Sequence, residues 1–151
     1  MKNHNSSPKD WIPAWHGTKL NNLESIIKYG LKSQGTKLPN GQIVPKTKYK
    51  PLKGSVYDIK NWENAIFATP CAECASAYSF YEIGAAIIHS SIIIEIRIKP
   101  GCFTEHQSKE LIGRVGGHDY LSVFHNDIYY RIPSAENVVI KSIVSISRTF
   151  L

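Results

Sequence analysis

The chain has 151 residues, of which 42% are hydrophobic and 20% charged, a composition that excludes a disordered tail, a collagen or a low-complexity segment. Its net charge of +6 is concentrated, because between Lys28 and Lys60 eight lysines stand against one acid, Asp58. The apolar run at Ile92–Ile94 is broken by Glu95 and Arg97, which argues against a membrane span, and three cysteines cannot form a paired disulfide framework.

One domain over 1–151 is expected, with a flexible stretch at 1–10. No secretory leader is legible in Met1-Lys2-Asn3-His4-Asn5, so an intracellular protein is expected. Residues 11–18, Trp-Ile-Pro-Ala-Trp-His-Gly-Thr, read as a short strand that turns at Gly17. A helix follows with Leu23, Ile26, Ile27 and Leu31 at helical spacing. Asn21 and Glu24 resemble a capping box before it, and Gly30 is a natural stop. Residues 32–60 read as a long, irregular, lysine-rich loop punctuated by glycine and proline. It is either a solvated surface or a positive cover that attracts an anionic ligand.

Ala65–Ala68 reads as a buried strand. Thr69 and Pro70 then supply N-cap chemistry for a helix carrying Cys71, Cys74, Ala75 and Tyr78 on one face. From Ser91 to Lys99 the pattern alternates, with Ile92, Ile94, Ile96 and Ile98 on one face and Ile93, Glu95 and Arg97 on the other. Gly113–Asp119 reads as a glycine-rich turn. Asp127–Ile132 and Asn137–Ile146 read as two further strands. Helices in front of strands predict an α+β domain with a largely antiparallel core.

The chemistry on offer is sparse. Cys71-Ala72-Glu73-Cys74 is half of a zinc site or a redox pair, but two small core cysteines suit the helix face, and no metal is expected. His118 beside Asp119 points to opposite faces of a strand, so the pair is taken as structural. His16-Gly17-Thr18 differs in kind: a histidine at a strand end can bond sugar hydroxyls, and the glycine lets a ligand approach the backbone closely. A satisfied core histidine is the alternative.

The order of these pieces carries a resemblance. Trp15-His16-Gly17-Thr18, a Leu-x-x-Ile-Ile helix ending Tyr29-Gly30-Leu31, Ala65-Ile66-Phe67, and a helix with Ala75-Ser76-Ala77-Tyr78 together resemble the catalytic domain of poly(ADP-ribose) polymerases and related diphtheria-toxin-like ADP-ribosyltransferases. The resemblance runs from about residue 11 to the C-terminus. It implies a split antiparallel β-sandwich with NAD⁺ in the crevice between half-sheets, and transfer of single ADP-ribose units to a protein or nucleic-acid acceptor with release of nicotinamide. A catalytically inactive module that binds NAD⁺ or ADP-ribose is the alternative. A basic nucleic-acid module is a third.

By the same resemblance His16 holds the adenosine ribose, Gly17 pairs through its backbone with the carboxamide, and Thr18 is counted with them as an NAD⁺-binding residue. Tyr78 stacks on the nicotinamide ring, and Ser76 lies one residue from a carboxamide-binding serine. Phe67 stands where the family has a tyrosine, so the ring is kept and the hydroxyl lost. The catalytic glutamate has no obvious counterpart. One register of the late strand puts Asp127 in its place and another puts Tyr129 there.

Overall fold

The computed structural model describes residues 9–46, 60–80, 88–107 and 128–149, and their side chains except those of 77–80, 88–91 and 146–149. Among these residues the chain forms strand β1 (Ile12–Thr18), helix α1 (Leu23–Tyr29), β2 (Ile66–Ala68), helix α2 (Ala72–Phe80), β3 (Ile88–Ile98), β4 (Thr104–Gln107), β5 (Ile128–Ile132) and β6 (Val138–Thr149). The strands build two antiparallel three-stranded sheets, ordered β1-β3-β6 and β2-β5-β4. This is an α+β architecture, as the sequence predicts. No helix among the described residues is long and apolar enough to cross a membrane.

Alternation along β3 determines where the core sits. In the β1–β3 register Ile12, Ala14, His16 and Thr18 oppose Ile98, Ile96, Ile94 and Ile92, so these side chains share one face. On the second sheet Ile66 opposes Ile132, and Ala68 opposes Tyr130. The two faces join in one buried cluster with Leu31. Ile94, Ile96, Ile98, Ile66 and Ile132 are fully enclosed, and each contributes about 1.5–3 kcal/mol by leaving water. The reverse face of the first sheet is covered by α2, which buries Ile93 as well. The reverse face of the second sheet carries a smaller cluster of Trp62, Phe67 and Tyr129.

Among the described residues, one backbone bridge joins the two sheets. Trp15 N–H donates to the Thr69 carbonyl at 2.8 Å, and Thr69 N–H donates back to the Trp15 carbonyl at 2.9 Å. Thr69 also ties β5 and α2 to this point. Its hydroxyl donates to the Ile128 carbonyl (2.9 Å) and accepts from Cys71 N–H (3.2 Å). Thr69→Val keeps the shape and removes both bonds. Because Ile128 is exposed and Cys71 only partly buried, water offsets part of the loss, and urea unfolding should show a cost of about 1–2 kcal/mol.

Several sequence expectations shift. The capping box does not form: Asn21 lies in a 3₁₀ turn (Leu20–Asn22), and Asn22 precedes α1 with no side-chain cap. Leu23 and Ile26 pack on the core as expected, whereas Ile27 is 66% exposed. Thr69 is not the cap of α2 either. That helix begins two residues later than predicted, with Cys71 at its start, because the Thr69 backbone is taken by the bridge.

The described part of the lysine-rich segment is ordered by hydrogen bonds. Leu38 N–H donates to Gln42, Val44 N–H to Thr36, and Gly35 N–H to Val44, closing a small hairpin around Pro39-Asn40-Gly41. Gly41 has φ 88°, the left-handed conformation that three-residue hairpin loops use. Leu38 is buried beneath it. The glycine-rich stretch 113–119 and the rest of the lysine-rich segment, 47–59, lie outside the described residues.

Candidate functional site

Beyond the Trp15–Thr69 bridge the sheets part, and the reason is local. Antiparallel pairing advances one strand by two residues as the other retreats by two, so a continuous ladder would next join Gly17 to Phe67. Instead the His16 ring takes the Phe67 carbonyl, with Nδ1 at 2.6 Å. The Gly17 amide and carbonyl face the same edge as those of Trp15, and they meet no main-chain partner there among the described residues. One donor and one acceptor are thus left side by side at the opening.

His16 is half-buried at this junction. A carbonyl can only accept, so Nδ1 carries the hydrogen and Nε2 keeps its lone pair. Burial pushes the ring below the ordinary imidazole value of 6.5, and the bond to the Phe67 carbonyl partly opposes that shift. The neutral ring is therefore the resting form at pH 7. The unfolded chain takes up this proton more readily than the folded one as pH falls below 6.5. Stability is accordingly full above 6.5 and declines as the pH falls towards the lower folded value. An NMR titration should find the His16 midpoint below 6.5 and the Nδ1–H tautomer above it. A ring that titrates normally as the Nε2–H tautomer would contradict this assignment.

Gly17 carries a second constraint. A Cβ built on it would lie 1.9 Å from the carbonyl oxygen of Ala75. Glycine is required here because helix α2 crosses β1 at this point, a reason not visible in the sequence, where the close approach was expected from a ligand. Thr18, the next residue, is buried, and Asn22 Nδ2 donates to its hydroxyl at 3.5 Å.

A cleft of about 730 Å³ opens from this junction. That is within the usual range for small-molecule and nucleotide sites. Its walls include His16, Gly17 and Thr18 from β1, Phe67 from β2, Tyr129 from β5, and Trp62 from the turn before β2. Tyr129 is only 3% exposed, and its ring packs against Phe67 (centroids 6.2 Å apart) and stacks on His106 at 5.3 Å. Trp62 is held in place by Arg131, whose Nε donates to the Trp62 carbonyl at 2.9 Å while its guanidinium lies over the indole at 4.8 Å. The cleft's charge is one-sided. Lys19, Lys32 and Lys46 line it, and no aspartate or glutamate does among the described residues. Lys46 also lies 3.9 Å from Glu63, an exposed pair worth little in water.

Of the residues singled out from sequence, His16, Gly17, Thr18, Phe67 and Tyr129 come together around this cleft. Ser76 does not. It is buried in α2, and its hydroxyl donates to the Glu73 carbonyl one turn back at 2.9 Å. Tyr78 lies on α2, but its side chain is outside the described residues, and Asp127 is outside them altogether. Trp62, Lys19 and the hairpin residues Gln34 and Gln42 line the cleft unforeseen. The Asn61-Trp62 pair was the available signal for the first, since asparagine suits the left-handed turn (φ 64°) that aims the indole inward. Comparison with the models of known protein families gives no match to this chain, and a search of curated proteins gives none.

Proposed function

We propose that the chain is an ADP-ribosyltransferase-like domain of split β-sandwich type. It takes NAD⁺ as donor and transfers single ADP-ribose units to a macromolecular acceptor, releasing nicotinamide. The observation that carries this reading is the parting of two antiparallel sheets at His16-Gly17, which leaves a neutral imidazole and a backbone edge with no main-chain partner among the described residues on a lysine-lined cleft. A carboxamide has one acceptor and two donor hydrogens, which complement the Gly17 amide and carbonyl. The His16 Nε2 lone pair accepts from a ribose hydroxyl. Lys19, Lys32 and Lys46 offset the charge of the pyrophosphate, Phe67 and Tyr129 supply an aromatic wall, and Tyr78 is the nicotinamide platform.

Catalysis in such a site is mostly positional: the dinucleotide is held so that the bond between nicotinamide and ribose faces the acceptor. Positive charge develops on that ribose as nicotinamide departs. Tyr129 offers only a neutral hydroxyl to it, whereas Asp127 would offer a charge on a short arm. Loss of a hydrogen bond to developing charge costs about 2.7–4 kcal/mol, roughly 100- to 1,000-fold in rate. A slow transferase is therefore expected.

One observation favours a second reading. No carboxylate lines the cleft among the described residues, which suits a module that binds NAD⁺ or ADP-ribose without turnover. Calorimetric titration with NAD⁺, followed by timed assay of free nicotinamide, separates the two. Saturable binding with steady release supports the enzyme, and binding without release supports the module. Replacing Lys19, Lys32 and Lys46 with alanine should weaken NAD⁺ about tenfold at low salt, on the order of 0.5 kcal/mol per exposed charge. The same variant should flatten the salt dependence of binding. Unchanged affinity at low salt would remove the pyrophosphate from that side of the cleft.

A further inference from the structure

Helix α2 opens on two thiols three residues apart. Cys71 holds the cap position, its carbonyl accepting from Ala75 N–H at 3.1 Å and its Sγ accepting from Cys74 N–H at 3.2 Å. Cys71 is half-buried, Cys74 is buried, and neither is in a disulfide. Serine, threonine, aspartate or asparagine caps a helix better than cysteine does, so capping alone does not call for sulfur here. A metal does not call for it either: no cluster of three or more histidine, cysteine or acidic side chains forms among the described residues. What the cap geometry achieves is to fold the Cys71 sulfur back over the first turn, onto the amide of the residue that bears the second thiol.

We propose that Cys71 and Cys74 are a redox-active dithiol, which closes to an intramolecular disulfide by exchange with a low-molecular-weight disulfide such as glutathione disulfide. Cys71, the half-exposed sulfur, attacks one sulfur of the small disulfide, forms a mixed disulfide and releases one small thiol. Cys74 then loses its proton to solvent and attacks Cys71 Sγ, and the second small thiol departs. Two protein thiols are oxidised, and one small disulfide is reduced to two thiols. The buried position of Cys74 assigns it the resolving role, since a small disulfide in solution reaches Cys71 first. The pair also lies next to Ala75, whose carbonyl abuts Gly17, so it sits at the contact between α2 and β1. This inference is independent of the NAD⁺ reading.

The test uses the full chain with Cys102→Ser, so that only the pair can react. The protein is equilibrated in glutathione buffers of increasing oxidised fraction, quenched with acid, labelled with N-ethylmaleimide and weighed intact. Two labels are expected in the most reducing buffer. In the most oxidising one, a monomer two hydrogens lighter with no label is expected. Adding Cys74→Ser should trap Cys71 as a lasting glutathione adduct, because the second step is gone. Adding Cys71→Ser, which keeps a cap and therefore the helix, should leave Cys74 largely without adduct. Two labels retained in every buffer, or oxidation found only as adducts or dimers in the Cys71/Cys74 chain, would overturn the proposal.

Discussion

Gly17→Ala should destabilise the protein by about 3 kcal/mol, at the upper end of what overpacking one methyl group costs. The added carbon would lie 1.9 Å from the Ala75 carbonyl oxygen, a separation that no rotamer change can relieve because both partners are backbone. Either α2 must lift from the sheet or β1 must bend. Movement of α2 disturbs Thr69 as well, since Cys71 N–H is bonded to its hydroxyl, and with it the bridge at which the sheets meet. Ligand binding should therefore fall together with stability. Urea unfolding of Gly17→Ala beside wild type measures the cost directly. A change below about 0.5 kcal/mol, the range of ordinary surface substitutions, would mean that the helix does not press on the strand as described.

His16→Ala acts on binding first. The variant removes the Nε2 acceptor and also releases the Phe67 carbonyl that Nδ1–H occupies. A sugar hydroxyl left without its partner costs about 1–3 kcal/mol, so NAD⁺ affinity should drop roughly 5- to 150-fold. His16→Gln offers a side-chain hydrogen-bonding group again and should recover part of the loss. If Tyr129 stands in for the family's glutamate, Tyr129→Phe should behave in the opposite way, lowering nicotinamide release while leaving affinity close to wild type, because a transition-state interaction contributes little in the ground state. Calorimetry and a nicotinamide time course on the same samples distinguish these patterns. Equal affinity for His16→Ala and wild type, with the fold intact, would reduce the histidine to a strut between the sheets.

The parts of the fold that were legible are those whose side chains follow one period. Ile92, Ile94, Ile96 and Ile98 alternate strictly because one face of β3 lies on the core, and the strand is where that pattern predicts. Strand β4, Thr104–Gln107, carries no such pattern. It becomes a strand through its pairing with β5, which brings His106 opposite Tyr129, a non-local fact. The lysine-rich segment misled for a related reason: its charge hid the turn signal in Pro39-Asn40-Gly41 and an apolar anchor, Leu38. Ile27 fits helical spacing yet points outward, because the core reaches only Leu23 and Ile26 on so short a helix.

The candidate site divides in the same way. His16, Gly17 and Phe67 were legible as residue types in order along the chain. Their arrangement depends on a histidine ring taking a carbonyl 51 residues away, and no local pattern encodes that. Trp62 and Lys46 join the site only because a turn and the stretch around a hairpin fold over the same opening, whereas Lys19 follows β1 directly.

On the proposed reading NAD⁺ lies where the sheets part, with its carboxamide on Gly17. A crystal structure of the chain soaked with NAD⁺ tests it most directly. The expected density places the nicotinamide amide on the Gly17 amide and carbonyl, a ribose hydroxyl on His16 Nε2, and the pyrophosphate towards Lys19, Lys32 and Lys46. Dinucleotide bound elsewhere on the molecule, or a cleft still empty at saturating NAD⁺, would contradict it.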